Sequence, residues 1–270
     1  MSTSLTVRQA ALEELGSRDK EFVNAVKYLR SKLVQTAAYG KRMEKMCKTM
    51  DIPAQILSFP ENEKVNITTV ENVLKQDSSF TLISIVHCET SSGVMNPVVE
   101  VGCLIKKYIP DCIYFVDAMS SFGAVPLDMY DGKIDFLVSS ANKCLQGIPG
   151  FSYVIAHKQK LMQCKGNSRS LSLDLFDQYD NLEKTGQFRF TPPTHCMLAF
   201  KQALTEFEEE GGVKARAERN NREILRKGMK KFGFEEFLDK SHEGYIITSY
   251  RFPEHPNFDF KTFYQKLSDK

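Results

Sequence analysis

Tryptophan is absent from the 270-residue sequence, and net charge nearly so: 36 Lys and Arg stand against 34 Asp and Glu, for a formal +2. A balance this close to zero provides no overall basic field of the kind that holds nucleic acid. Long apolar runs are missing too. The longest, such as 113–116, fall far short of the ~18 residues a membrane helix needs and suit buried strands. The N-terminus reaches Glu13 and Glu14 without an apolar stretch, so neither a secretory leader nor an obvious mitochondrial one is expected, and a cytoplasmic location is. The seven cysteines (Cys47, Cys88, Cys103, Cys112, Cys144, Cys164 and Cys196) contain no C-x-x-C pair and mostly sit among apolar neighbours. They read as small buried hydrophobes in a reducing compartment. Five scattered histidines offer no ligand spacing, so no metal site is expected.

What is present is an alternation of short apolar runs and amphipathic stretches. Ser17 as a cap, with Phe22, Val26, Leu29 and Leu33 at three- and four-residue steps, predicts a helix. Met43, Met46, Cys47 and Met50 predict a second after Tyr39-Gly40, its methionine face packed rather than ligating. Apolar runs at 54–59, 81–86, 112–116, 136–138 and 151–156 predict strands. Between them, Thr68 with Glu71 three residues later reads as a capping box. Asn96-Pro97 reads as a cap and first helical residue before Val98, Val101, Ile105 and Tyr108.

Strands that are continuously apolar are covered on both faces, and strand-helix-strand order gives parallel pairing. The predicted fold class is therefore α/β, a three-layer α/β/α arrangement around a mostly parallel sheet. After Thr191-Pro192-Pro193 the pattern turns helical over 198–207, and Gly211-Gly212 breaks it. Eight basic residues from Lys214 to Lys231 are interleaved with Glu218 and Glu223, which reads as a solvated helix face rather than a nucleic-acid surface. A strand is expected at 245–250 and a helix through Phe260, Phe263, Tyr264 and Leu267. Residues 1–210 read as a large domain and 211–270 as the start of a small α+β domain that is incomplete.

In open α/β sheets ligands bind beyond the carboxyl ends of the strands. Three polar strings stand there: His87-Cys88-Glu89-Thr90-Ser91-Ser92-Gly93, Asp117-Ala118-Met119-Ser120-Ser121 and Ser139-Ser140-Ala141-Asn142-Lys143. Asp117 and Lys143 bring an acid and an amine to one cleft. A structural ion pair accounts for them. So does pyridoxal phosphate, whose aldehyde condenses with a lysine while a carboxylate keeps its ring nitrogen protonated.

The wording of the strings goes further than their spacing. Val116-Asp117-Ala118-Met119-Ser120-Ser121-Phe122-Gly123, Ser140-Ala141-Asn142-Lys143-Cys144-Leu145-Gln146-Gly147 and Ser168-Arg169-Ser170-Leu171-Ser172-Leu173-Asp174 resemble the 2-aminoethylphosphonate:pyruvate transaminases. These are class V aminotransferases of the fold-type I pyridoxal phosphate enzymes. The resemblance implies a homodimer that moves an amino group from 2-aminoethylphosphonate to pyruvate, giving phosphonoacetaldehyde and L-alanine. It assigns Lys143 as the Schiff-base lysine and Asp117 as partner of the ring nitrogen, both catalytic. Thr90 matches the hydroxyl near the cofactor's phenolic oxygen, Tyr39 the ring-stacking aromatic and Asn142 a polar residue near the phosphate. Thr191 matches a residue sent across the dimer interface to the partner's phosphate.

Each residue also has a plainer reading. Tyr39 suits a core aromatic, Thr90 and Ser91 suit turn formers before Gly93, and His87 and His195 suit core imidazoles. Arg169 and Lys165 suit either a phosphonate dianion or the surface. The sequence departs from the family in lacking a Gly-Ser-Gly-Thr-like phosphate turn, expected between Leu33 and Tyr39. It also lacks a Thr-Pro-Gly-Pro-like string before Thr6 and the small-domain arginine that grips the substrate acid. These departures predict weakened cofactor binding. They leave two further readings: a catalytically impaired relative that pairs with complete subunits, and a related alanine- or serine-glyoxylate-type aminotransferase.

Overall fold

The computed structural model describes residues 31–35, 38–219 and 221–270, with only the backbone of 31–35, 38 and 39. Uninterrupted apolar runs produce a sheet interior. β1 (Ser31–Gln35) and β2 (Ala54–Ser58) precede β3 (Leu82–Val86), β4 (Ile113–Asp117) and β5 (Phe136–Ser140), and β6 (Ser152–Ala156) follows. Every residue of β3 and β5, and all of β4 except Asp117, is buried, as double-sided coverage requires. The strand order is β2-β1-β3-β4-β5-β6, parallel throughout except for β6, which runs antiparallel to β5.

Side chains alternate between two apolar clusters, one on each face. Ile83, Ile85, Tyr114, Val116 and Leu137 pack against Val70 and Leu74 of α2 (Ile67–Gln76) and Val98, Val101 and Ile105 of α3 (Val98–Tyr108). Leu82, Ile113, Phe115, Phe136 and Val138 pack against Leu161 of α4 (Lys158–Gln163) and Phe176 of α5 (Leu175–Thr185). The result is the expected α/β/α arrangement. α1 (Ala38–Thr49) buries Cys47 with Ile52 at the edge beside β2.

Several local expectations are corrected. Leu33 lies in β1, not in a helix, and pairs with Ile56 and Ser84 on its neighbours; the rest of that expected helix lies outside the described residues, as do residues 36 and 37 of the expected junction. The cap of α2 is Asn66, whose side chain accepts from the Thr69 N–H at 2.9 Å. Glu71 turns away from a capping role and accepts from the Tyr108 hydroxyl at 2.5 Å. Asn96 does not cap α3: its amide accepts from Val65 N–H at 3.0 Å and donates to the Val86 carbonyl at 2.8 Å, tying the end of β3 to a distant loop. Cys103 is exposed, and Cys164 and Cys196 are only partly covered, so three of the seven thiols are not core residues.

Beyond α6 (Thr194–Glu209) the chain forms α7 (Gly212–Ala217), α8 (Asn221–Lys231) and α9 (Phe260–Ser268), the last capped by Asp259. The basic stretch is not uniformly solvated. Arg216 is buried against Glu210, and Arg222 pairs with Glu243. No strand forms at 245–250; isolated bridges join Val94 to Glu243 and Glu236 to Tyr250, and the residues between bond to separate parts of the molecule. The Tyr245 hydroxyl, for example, donates to the Ala124 carbonyl at 2.8 Å. Among the described residues no helix is long and apolar enough to cross a membrane.

Candidate active site

Parallel strands deliver their carboxyl ends to one edge, so the strings after β3, β4 and β5 meet there. Asp117 is the last residue of β4 and stands between Val86 of β3 and Val138 of β5 in register. Its carbonyl accepts from the His87 N–H at 2.8 Å, and the next amide, Ala118, donates to the Val138 carbonyl at 2.9 Å. The carboxylate Oδ1 accepts from the Met119 N–H at 2.9 Å. Burial pushes this carboxyl up from its ordinary 3.8 to about 6, opposed by the Met119 amide and by the positive charge of Lys143. The acid and the amine therefore share one electrostatic environment.

Lys143 follows β5 in a tight turn. The Gln146 N–H donates to the Lys143 carbonyl at 3.0 Å and the Gly147 N–H to the Ala141 carbonyl at 2.8 Å. A Cβ on Gly147 would lie 2.7 Å from that Ala141 oxygen, so only glycine closes this turn. Asn142 accepts from the Ser140 hydroxyl, which holds its amide close to the end of β5.

Hydroxyls and a thiol stitch the three loops together. Thr90 Oγ1 and Ser120 Oγ lie 2.6 Å apart, joining the loops after β3 and β4. The Cys144 thiol donates to the Ser120 carbonyl at 3.2 Å, joining the loops after β4 and β5. His87 is buried, with Nδ1 2.9 Å from Ser121 Oγ, and burial lowers its pKa to about 4. The imidazole is thus neutral at ordinary pH and braces the β4 loop.

The structure brings Lys143, Asp117, Thr90 and Asn142 to this edge. Thr191 is exposed in the stretch leading into α6, and the side chain of Tyr39 lies outside the described residues. Arg169 donates to the Met50 carbonyl at 2.8 Å, and Lys165 sits 5.7 Å over the Phe176 ring. Two contributors were not visible in the sequence. Ser120, although part of a noted string, shows its pairing with Thr90 only in three dimensions. The segment around Gly244 reaches back from the far end of the chain: its N–H donates to the Gly93 carbonyl at 3.2 Å, and Met95 N–H donates to His242 at 3.1 Å. Among the described residues no group of His, Cys, Asp or Glu is arranged to hold a metal ion.

Comparison with known proteins places the chain in a family. The family model of the class-V aminotransferases matches residues 37–266. The 2-aminoethylphosphonate–pyruvate transaminase of Bacteroides fragilis is 46% identical over 241 residues, spanning 88% of this chain and 66% of that protein. The Bacillus cereus enzyme of the same description is 48% identical over 233 residues, spanning 85% of this chain and 63% of that protein. The chain thus spans less than two thirds of the length of these relatives. Among solved structures, an alanine–glyoxylate aminotransferase from Nostoc sp. superposes with a TM-score of 0.81 at 19% identity, over 98% of this chain and 68% of that one. That likeness establishes the fold alone. Together with a family model covering most of the sequence, the observations lead to one conclusion: this chain belongs to the class-V aminotransferases.

Proposed function

We propose that the chain is a pyridoxal phosphate-dependent transaminase that moves the amino group of 2-aminoethylphosphonate to pyruvate, giving phosphonoacetaldehyde and L-alanine. The observation that carries this reading is the meeting of Thr90, Asp117 and Lys143 at adjacent strand ends, in a chain 46% identical to a protein of that activity. The ring side of the site fits the cofactor, while the sequence carries no Gly-Ser-Gly-Thr-like turn for its phosphate. A carboxyl that burial holds at about 6 is short of positive partners, and a protonated ring nitrogen beside it restores its charge.

When bound, pyridoxal phosphate supplies the electron sink for the carbanion and carries the amino group between the half-reactions. Lys143 Nζ would hold the cofactor's aldehyde carbon and, as a free amine, would accept the proton from the donor's amino-bearing carbon. Asp117 would hold counter-charge for the cofactor's ring nitrogen. Thr90, locked to Ser120, presents a hydroxyl from the β3 side, and Asn142 presents its amide at the end of β5. Thr191, exposed ahead of α6, is free to meet a second copy, in keeping with a homodimer.

The test incubates the full chain with pyridoxal phosphate, 2-aminoethylphosphonate and pyruvate and measures alanine. Pyruvate-dependent alanine that Lys143→Ala abolishes is the expected result. Turnover with serine or alanine and glyoxylate, but none with the phosphonate, overturns the donor assignment. Failure of borohydride to fix the cofactor to Lys143 overturns the cofactor assignment.

A further inference from the structure

The turn bearing Lys143 is anchored from outside as well as from within. The carbonyl of Cys144, the residue directly after Lys143, accepts a hydrogen bond from Nη1 of Arg216 on α7, 72 residues further along the chain. Arg216 is only 7% exposed, and an arginine is seldom buried this deeply without full pairing. Its Nε and Nη2 both donate to Glu210 Oε2, at 3.1 and 3.0 Å, and the Phe207 ring covers the guanidinium at 4.7 Å. Arg219 Nη2 also pairs with Glu210 Oε2, at 2.8 Å, so the carboxylate serves both guanidiniums. The Nη1 bond is a separate contact, made by the edge of a rigid planar fork, and it fixes the peptide beside Lys143 relative to α7.

That geometry differs from an ordinary structural ion pair. The Cys144 thiol already bonds to the Ser120 carbonyl on the β4 loop. With Arg216 on its carbonyl, Cys144 is gripped from two directions, and the Lys143 backbone lies between this grip and the last residues of β5. A side chain of four methylenes can sweep a wide arc, so the position of its backbone limits where Nζ can reach.

We propose that Arg216 is a positioning residue for Lys143: through the Cys144 carbonyl it sets the turn from which the lysine amine reaches its reaction partner. The proposal rests on the role given to Lys143 above. Two variants of the full chain test it. Arg216→Lys retains a charge for Glu210 without the rigid second edge, and Arg216→Met with Glu210→Gln removes both charges so that none is left buried alone.

Amide hydrogen exchange is measured first, without cofactor. Both variants are expected to exchange faster over 141–147, where the Gln146 and Gly147 amides close the turn, with α3 and β4 unchanged. Covalent attachment of pyridoxal phosphate to Lys143 is then followed at rising cofactor concentration. The limiting rate is expected to fall about tenfold, with the half-saturating concentration unchanged, because reach and not encounter is impaired. Exchange that is unaltered over 141–147, or that rises equally throughout the sheet, overturns the proposal. If the unmodified chain attaches no cofactor at Lys143, the functional reading fails, and the exchange result still decides the role of Arg216.

Discussion

Replacing Asp117 by Asn separates the cost of this residue from its use. Burial raises the carboxyl from 3.8 to about 6, so in the cofactor-free protein the folded state holds the proton longer than the unfolded chain does. Stability that is fully present below about pH 4 is therefore lost as the pH rises through about 6. The displacement corresponds to about 3 kcal/mol of charge-burial cost above pH 7. Asn occupies the same volume and still accepts from the Met119 N–H, but carries no charge. Asp117→Asn is thus expected to stabilise the cofactor-free protein by up to about 3 kcal/mol at pH 8, by about half that at pH 5, and hardly at all below about pH 4. Urea unfolding at those three values measures it. Pyridoxal phosphate should then raise the melting temperature of the unmodified chain more than that of the variant, because only the carboxylate gains a cationic partner. Turnover should fall by orders of magnitude. A variant no more stable than the parent at pH 8, or a difference independent of pH, refutes the reasoning.

Other perturbations test the scaffold around the site. Asn96→Ala leaves the Val65 N–H and the Val86 carbonyl without their partner and should cost about 2–4 kcal/mol in urea unfolding; a loss below about 1 kcal/mol means that the two bonds contribute little. Gly93 sits at φ +91°, and a Cβ there would lie 2.6 Å from the Ile247 carbonyl oxygen. Gly93→Ala should therefore cost about 1–3 kcal/mol and open the 242–247 segment to protease, and an unchanged melting temperature and digestion pattern contradicts that. Thr90→Val keeps the shape but breaks the 2.6 Å contact with Ser120; a stability loss of about 1 kcal/mol with weaker retention of pyridoxal phosphate on dialysis is expected, and equal retention argues against a cofactor role for the hydroxyl.

The strands of the sheet interior were legible in the sequence because burial on both faces demands mostly apolar runs, and 112–116 and 136–138 are such runs, as is 82–86 apart from the buried Ser84. Asp117 and Lys143 were legible for a related reason: a parallel sheet delivers its loops to one edge, so polar residues directly after apolar runs converge without further information. Caps were less legible. Asn96 has the right residue type before a proline, yet its amide is used 31 residues away at Val65, and no local pattern reveals a long-range competitor for a side chain.

The 245–250 segment was misread for the opposite reason. Its alternation suits a strand, but a strand needs a neighbour with a free edge, and the fold supplies only isolated bridges there. Chain order and apolar runs thus determined the layered sheet and the edge at which the strings bearing Asp117 and Lys143 meet. The grip of Arg216 on the peptide beside Lys143, the pairing of Thr90 with Ser120 and the elevated Asp117 carboxyl were decided only by tertiary structure. Each depends on distances and burial between residues far apart in the chain, and one-dimensional spacing does not encode them.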